Sequence, residues 1–464
     1  MTINTKNSAV ENEGQTNDVL PVTHELVTEI IHALENQDKT QIEFLLEPLH
    51  SADVADIFEQ LNEFDRRLLT NFIGVNMEPD VLSELDDSTL GHVIDEMDDK
   101  DIAHVISKME IDDAVHVLQD LEDEDQQKII NELPADGRLA VEEGLSFPED
   151  SAGRLLQRNL VSVPGDWSVG KVIDYFRTDD DLPDEFYEVF IVDPMHHPLG
   201  TVALNKIIRT NRDVLISDIM DSDPKVVPVE LDQEEVAYLF KQYDLTSMGV
   251  VDNSGRLIGM ITVDDVVDVI DEEAEEDLLR MAGVHDSDIT ESVFEASKHR
   301  VIWLLINLVT AILASGVIAL FDASIEQMVA LAILMPIVAS MGGNAGTQTM
   351  TVTVRALATH DLTPSNTKRI IFREFFIAAL NGAVIAIVIG GLSWFWFSNM
   401  ALGGVMAAAM MINIVMAGLS GILIPIILDK INIDPALASS IFVTTITDVV
   451  GFFAFLGLAA IVLL

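Results

Sequence analysis

The sequence predicts a multidomain membrane protein: an α-helical superhelical array, an α/β module built from a tandem repeat, an acidic connecting helix and a five-helix transmembrane domain. Three observations predict it. A twelve-residue period runs through residues 44–133, two later blocks superpose at an offset of 59, and the C-terminal part holds five apolar stretches of membrane-spanning length. These divide the 464 residues into a polar N-terminal segment with a first helix (1–43), a helical-repeat domain (44–150), a tandem module (151–271), a connecting helix (272–299) and a transmembrane domain (300–464).

In the first repeat, Phe44, Asp56, Leu68, Asp80, His92, His104, His116 and Lys128 are equivalent. The position after each is apolar (Leu45, Ile57, Leu69, Val81, Val93, Val105, Val117, Ile129), and so is the fifth after it (Leu49, Leu61, Ile73, Leu85, Met97, Met109, Leu121, Leu133). One short helix and a turn per period, stacked side by side, bury both positions. His92, His104 and His116 align with Asp and Lys elsewhere in the repeat, which marks a tolerant polar position and not a metal row.

The second repeat is of another kind. "VDPMHHPLGTVALNKII" and "VDNSGRLIGMITVDDVV" pair Val192, Asp193 and Gly200 with Val251, Asp252 and Gly259. Each block reads as a β-branched strand, a turn, a strand through the glycine and a helix. Such tandem pairs resemble CBS domains, the first over about residues 151–212 and the second over about 213–271. In that family a G-x-x-T-x-x-D pattern contributes to adenine-nucleotide binding. The second copy has it as Gly259, Thr262 and Asp265, whereas the first has Ala203 and Lys206. ATP or another adenine nucleotide is therefore expected in one cleft alone.

The segment "VDDVVDVIDEEAEEDLL", residues 263–279, leads toward the membrane. Asp265, Asp268, Glu272, Glu276 and Leu279 recur at spacings of three or four, so one helical face carries a carboxylate stripe. Like charges so spaced cost a helix a few tenths of a kcal/mol per pair, about 0.2–0.5, which favours a cation between facing surfaces. The formal net charge of −51 lies almost wholly on this side of the chain: from residue 301 onward seven acids face five bases, and the first 300 residues hold 70 acids against 21 bases. Such an excess repels nucleic acid and anionic lipid, and cations are its natural counterparty. The sequence contains no cysteine, which excludes disulfides and thiolate metal sites. "MTINTKNSAVENEGQTNDVL" lacks an apolar core of signal-peptide length, so the first 300 residues are expected in the cytosol.

Five stretches reach the roughly 20 apolar residues that cross a bilayer: 301–321, 328–358, 374–397, 403–428 and 436–464. Lys298 and Arg300 precede the first, and Arg355, Lys368, Arg369 and Arg373 lie between the second and third. The loops at 322–327 and 398–402 hold no Lys or Arg. The positive-inside rule then places the N-terminus in the cytoplasm and the C-terminus outside, as expected of a multi-pass protein of a bacterial inner membrane. Trp394 and Trp396 suit an interfacial belt.

Two features inside the spans are costly. Asp448, midway along the last span in "TTITDVVGFF", is a lone carboxylate in lipid, and such groups mark ion pathways. Aspartate is a hard, oxygen-only ligand, suited to Mg²⁺, Ca²⁺ or Mn²⁺. "MPIVASMGGNAGTQ", residues 335–348, interrupts the second span with Pro336 and glycines. Gly342 and Gly346 fit small-xxx-small helix packing, but Asn344 and Gln348 do not, so the stretch is expected as a pore-lining break in the helix. Asn307, Asn381 and Asn413 stand singly among apolar residues and read as helix-to-helix hydrogen bonds.

With these parts in order the chain resembles the MgtE family of magnesium channels over essentially its whole length. The features that carry the resemblance are the helical N domain, "SAGRLL" ahead of a CBS pair, the acidic connecting helix, and spans with "P.....GGNAG.Q" and "DPALASS...TTITDV". The resemblance implies that Asp448 engages hydrated Mg²⁺ in the pore, with Asn344 from the second span and the backbone carbonyl of Thr444. It also implies a cytosolic Mg²⁺ sensor of Asp232, Glu234, Asp244, Asp265, Asp268, Glu273, Glu276 and Asp277. In "DEMDDKDIAH", Lys100 and His104 stand where acids are expected, which leaves the N-domain ligands unassigned.

Mg²⁺ dehydrates reluctantly, so a pore that meets it through its water shell needs no cage of ligands. A homodimer with a twofold axis along the pore would pair two Asp448 side chains. Abundant cytosolic Mg²⁺ is expected to bridge the N domain, CBS pair and connecting helix and to close the gate; depletion lets these surfaces repel one another and opens it. The alternatives are a transporter of Mn²⁺ or Co²⁺ and a non-conducting ion or nucleotide sensor. An enzyme fits worst, since the chain shows no nucleophile with its base, no phosphate loop and no His/Cys metal cluster.

Overall fold

The computed structural model describes residues 22–463 except 120, 122, 180, 181, 184, 185, 285–292 and 432. The expected polar segment at the N-terminus lies outside the described residues up to residue 21. The chain divides into two compact units. One comprises the described residues up to Leu231 together with Ser247–Ile261, the other Asp232–Thr246 together with the described residues from Thr262 onward.

The first unit opens with the helical array: α1 (His24–Glu35), α2 (Lys39–Leu46), α3 (Ser51–Gln60), α4 (Glu63–Ile73), α5 (Pro79–Ser83), α6 (Asp87–Asp95), α7 (Asp99–Ile106), α8 (Ile111–Gln119), α9 (Asp123–Glu132) and α10 (Ala135–Ser146). The helices keep the period read from the sequence, because a polar residue before each start repeatedly caps it. Asp38 accepts from the Gln41 amide, Asn62 from that of Asp65, and Asp86 from that of Thr89. The array departs from its period once. At Gly74 a φ of +49° turns the chain into a 3₁₀ turn (Gly74–Asn76), and a shortened α5 begins with proline at its first position. Ile57, Leu69, Val81, Val93, Val105, Val117 and Ile129, all from the first apolar register, are buried in the array's core. His92 lies with its Nδ1 3.1 Å from the Arg66 guanidinium and His104 is exposed, so the histidines follow the turns and do not converge.

Each CBS copy forms a three-stranded sheet. The first holds β1 (Ser162–Pro164), α11 (Val169–Thr178), β2 (Glu188–Val192), β3 (Pro198–Ala203) and α12 (Leu204–Arg209), in strand order β1-β2-β3. The second holds β4 (Val226–Pro228), α13 (Gln233–Tyr243), β5 (Ser247–Val251), β6 (Leu257–Thr262) and α14 (Val263–Ala282), in order β4-β5-β6. In each copy the first pair is parallel, joined over a helix as parallel strands require. The β2–β3 pair is antiparallel across a tight turn closed by Asp193, whose carboxylate accepts from the Met195 and His197 amides. Helices α13 and α14 belong to the second unit. The border expected at residue 272 falls inside α14, which continues from the sheet as one helix of 20 residues.

The second unit continues with α15 (Val293–Ala319), α16 (Asp322–Gln327), α17 (Ala330–Ala358), α18 (Thr367–Phe397), α19 (Met400–Lys430) and α20 (Pro435–Val462). Five of these are long and apolar enough to cross a membrane: Arg300–Ala319, Ala330–Ala358, Thr367–Phe397, Met400–Lys430 and Ser439–Val462. α19 is the central helix, its small residues admitting close neighbours. Gly418 lies against Ala378 of α18, Gly403 against the Gly390 carbonyl, and Gly421 against the Gly346 carbonyl of α17.

Candidate ion pathway and cytosolic carboxylate cluster

The stretch 335–348 is not a break. α17 runs unbroken from Ala330 to Ala358 through Pro336 and the glycines, which corrects the expectation of unwound backbone. Proline removes one ladder bond near the start of the helix, and the glycines serve contact. A methyl group on Gly346 would meet Val443 Cγ1 of α20 at 2.5 Å, and one on Gly342 would collide with Asn413. The packing explanation therefore accounts for these two glycines in full.

The amides follow the other face. With Leu334, Val338, Gly342, Gly346 and Met350 turned inward, Ser340, Asn344, Thr347, Gln348 and Thr351 form an exposed polar stripe at i, i+4, i+7, i+8 and i+11. On α20, packed against α17 at Gly346, Val443 and Thr447 are buried, Thr444 is exposed and Asp448 half-buried. The structure thus leaves two polar edges, one on each of two helices long and apolar enough to cross a membrane. Of the three isolated asparagines only Asn413 bonds between helices: its buried amide donates to the Val338 carbonyl at 2.8 Å. Asn307 and Asn381 are exposed on the outer faces of α15 and α18, which corrects their reading as interhelical bonds within the chain.

Beyond the spans, the expected sensor residues separate into two groups. α13 and α14 run antiparallel, since Val263 at the start of α14 bonds to Thr246 just past α13, while Gln233 at the start of α13 donates to Glu273 at 2.9 Å. At one end Asp232 caps α13, and Glu234 meets Glu273 and Asp277. Burial, then Glu273, Asp277, Asp232 and Glu235, push the Glu234 carboxyl up to about 7. Desolvation and the nearby Asp434 also raise Asp277. Ten residues away, about 15 Å along a helix, Asp244 closes α13 in the left-handed region at φ 52°. Asp268 is exposed on the first half of α14, near that end.

The α14 carboxylates that crowd Glu234 of α13 are Glu273 and Asp277, one helical position round from Glu272 and Glu276 of the stripe read from spacing. Glu276 instead pairs with Arg280. Among the described residues no three His, Asp or Glu side chains converge closely enough to hold a bare ion.

The residues expected to face a nucleotide are already engaged. Thr262 and Asp265 form a capping box, the Thr262 hydroxyl donating to Asp265 Oδ2 at 2.7 Å and its amide to the same oxygen at 3.3 Å. Gly259 is closely approached by the Gln157 carbonyl, which accepts from the Met260 amide at 2.9 Å. The glycine there admits the close approach of the segment at Gln157, which bridges to Met260.

Residues 335–458 match the family described as MgtE, divalent cation transporter; residues 49–150 match the MgtE intracellular N domain, and 216–272 the CBS domain. The magnesium transporter MgtE of Enterococcus faecalis (strain ATCC 700802 / V583) is 34% identical over 433 residues, covering 93% of this chain and 96% of that protein. The chain belongs to the MgtE family. The magnesium transporter MgtE of Bacillus subtilis (strain 168) is 30% identical over 94% of this chain and 97% of its own. Among solved structures, the cytosolic domain of the Mg²⁺ channel MgtE in complex with ATP aligns with a TM-score of 0.48 and 28% identity, over 52% of this chain and 99% of that one.

Set beside the MgtE motifs read from the sequence, the structure adds three groups. Ser340, Thr347 and Thr351 extend the polar edge of α17, and their spacing from Asn344 was the available signal. Asp113 of α8, pushed up to about 6 by burial and by Glu110, Asp80 and Glu84, marks an acidic crowding in the helical array that no local pattern announces. Asp434, the N-cap of α20, bonds Arg280 across 154 positions of sequence.

Proposed function

We propose that the chain is a Mg²⁺ uptake channel or transporter of the bacterial inner membrane, with its helical array and CBS pair in the cytoplasm and its gate closed by cytosolic Mg²⁺. The observation that carries it is the exposed polar edge of Ser340, Asn344, Thr347, Gln348 and Thr351 on α17, with the exposed Thr444 and half-buried Asp448 on α20, the helix packed against α17 at Gly346. Lipid leaves such groups unsatisfied, so at membrane depth they face water or a second chain. A homodimer whose twofold axis runs along this edge meets both needs: it encloses a wet path and brings two Asp448 carboxylates to it. One carboxylate per chain and a row of neutral oxygens hold Mg²⁺ through its hydration water, which suits an ion that loses water slowly.

Gating rests on the α13–α14 cluster. Burial, and then the like charges of Glu273 and Asp277, disfavour the ionised form of Glu234, and a hydrated divalent cation beside it offsets that cost. Mg²⁺ then favours the state in which α13 and α14 are drawn together, and its differential affinity for that state closes the pore. Asp244, Asp265 and Asp268 act at the opposite end of the helix pair. ATP or a related nucleotide at Gly259, Thr262 and Asp265 would have to displace the capping box, and titration of ATP into the full chain tests that.

Reconstituted in liposomes, the chain should carry Mg²⁺ inward and conduct in single-channel recordings, with conduction falling as Mg²⁺ rises on the cytosolic face. Competition with Mn²⁺ and Co²⁺ fixes the preferred ion, since oxygen ligands alone do not choose among them. A reconstituted chain that passes none of the three ions would reduce the protein to a membrane sensor.

A further inference from the structure

α14 leads from the second CBS sheet and packs against α20, the helix that carries Thr444 and Asp448. That contact joins an apolar part, Met281 packed against the cluster of Met350, Val354, Ala436 and Val443, to an ionic one made by a single base. Arg280, in the last turn of α14, is the only base in a helix whose other charged residues are all acids. Its Nη2 pairs with Glu276 one turn back, and its Nη1 lies 2.9 Å from Asp434 Oδ2. The other oxygen of Asp434 accepts from the Ala436 amide at 2.7 Å and so caps α20, the helix that carries Thr444 and Asp448. Asp434 therefore has two roles with separate oxygens: one fixes the start of the pore helix, the other binds the connecting helix. Both partners are about two-thirds covered, at 33% and 30% side-chain exposure, which spares the pair most of the screening that weakens surface pairs.

Position adds to the case. Asp277, one residue beyond Glu276, is raised by burial and then by Asp434, so acids of the connecting helix lie near the cap of α20, and the guanidinium pairs with one carboxylate from each helix, Glu276 and Asp434. Without a cation the connecting helix and the cap of α20 would repel one another. Arg280 supplies that cation permanently, whatever the Mg²⁺ concentration.

We infer that Arg280 is the fixed link that transmits the state of the Mg²⁺-responsive carboxylates to the pore helix, acting as a positioning residue through Asp434 and not as an ion ligand. The inference rests on the gating reading above and names the part of the chain that carries its signal. An adjustable contact at α13–α14 and a permanent one at α14–α20 make a lever: the first end moves with the ion, the second keeps hold of the pore.

The test uses the full chain in liposomes or membrane patches, with Arg280→Gln, Arg280→Lys, Asp434→Asn and the Gln/Asn double variant. Asp434→Asn keeps an oxygen for the Ala436 amide, so it removes the link and spares the cap. In Mg²⁺-free cytosolic solution the Gln and Asn variants should conduct as the parent does. Half-inhibition by cytosolic Mg²⁺ should move about fivefold higher, the size that a partly covered ion pair supports. Lys at position 280 should restore most of the response, and the double variant should be no worse than either single one. A parent that Mg²⁺ inhibits, with Arg280→Gln and Asp434→Asn inhibited at the same concentration, overturns the link and leaves gating intact. Additive shifts in the double variant also overturn it, because each residue would then act by itself. A parent insensitive to Mg²⁺ overturns gating and link together. Should Arg280→Gln fail to reach the membrane, the inhibition curve of Asp434→Asn decides between the first two outcomes.

Discussion

α20 and α14 lie in one compact unit, and both carry carboxylates with few compensating charges, but they manage the excess in opposite ways. α20 has one acid along its apolar length, Asp448, half-buried beside the exposed Thr444. α14 has acids on every turn but its last and one base, with Glu273 and Asp277 set against Glu234 of α13. In lipid a single charge is expensive enough to define the helix's purpose. In water many charges are cheap singly, and only their crowding against a second helix makes them responsive. In the proposed reading the residue of the last span works by its own chemistry and the cytosolic carboxylates by their number and spacing.

Three changes put that contrast to the test. Asp448→Ala should have the largest effect, a loss of Mg²⁺ flux of about a hundredfold or more, since one group carries the whole of the pore's fixed charge in each chain. Uptake of isotopic Mg²⁺ into liposomes checks it, and a variant with parental flux would place the pathway elsewhere. Glu273→Gln with Asp277→Asn should leave flux in Mg²⁺-free solution intact and raise the inhibitory Mg²⁺ concentration by about tenfold, as two carboxylates facing Glu234 are lost at once. Patch recordings at graded cytosolic Mg²⁺ decide this, and an unmoved curve would remove the cluster from the gate.

The mildest effect concerns pH. The Glu234 carboxyl is raised to about 7, so the Mg²⁺-free protein gains from its protonation below the ordinary carboxylate range near 4.5 and loses that gain as pH climbs through 7. Mg²⁺ must displace that proton. Half-inhibition should therefore need several-fold less Mg²⁺ at pH 8 than at pH 6, bounded by about tenfold per unit for one proton, and Glu234→Gln should flatten the dependence. A parental curve that is level across this range would show that Glu234 is already ionised.

Much of the architecture is legible in the sequence because it repeats or because lipid demands it. The helix starts at Lys39, Ser51, Glu63, Asp87, Asp99, Ile111 and Asp123 keep the twelve-residue step, and only Gly74 and Pro79 disturb it, each by its own backbone restriction. Five spans follow from apolar length alone. The reading of 335–348 as unwound backbone fails for a physical reason. Proline and glycine weaken a helix in isolation, but here Gly342 and Gly346 let α19 and α20 approach so closely that packing restores what propensity removes. Asn307 and Asn381 mislead in the same way, since a lone asparagine looks alike whether it meets a neighbouring helix, as Asn413 does, or points outward.

Composition, period and hydropathy were enough to set the order of the parts, the number of crossings, the sign of the charge on each side of residue 300 and the lone acid in the last span. These are properties of short windows of chain, and water, lipid and backbone sterics act on such windows directly. It took the packed chain to select Glu273 and Asp277, and not their neighbours Glu272 and Glu276, as the groups that meet Glu234, to leave the polar edge of α17 open while its glycines close, and to join Arg280 to Asp434 across 154 positions. A rotation of about 100° on a helix selects between adjacent residues, and that rotation is set by what packs against the helix from elsewhere in the chain.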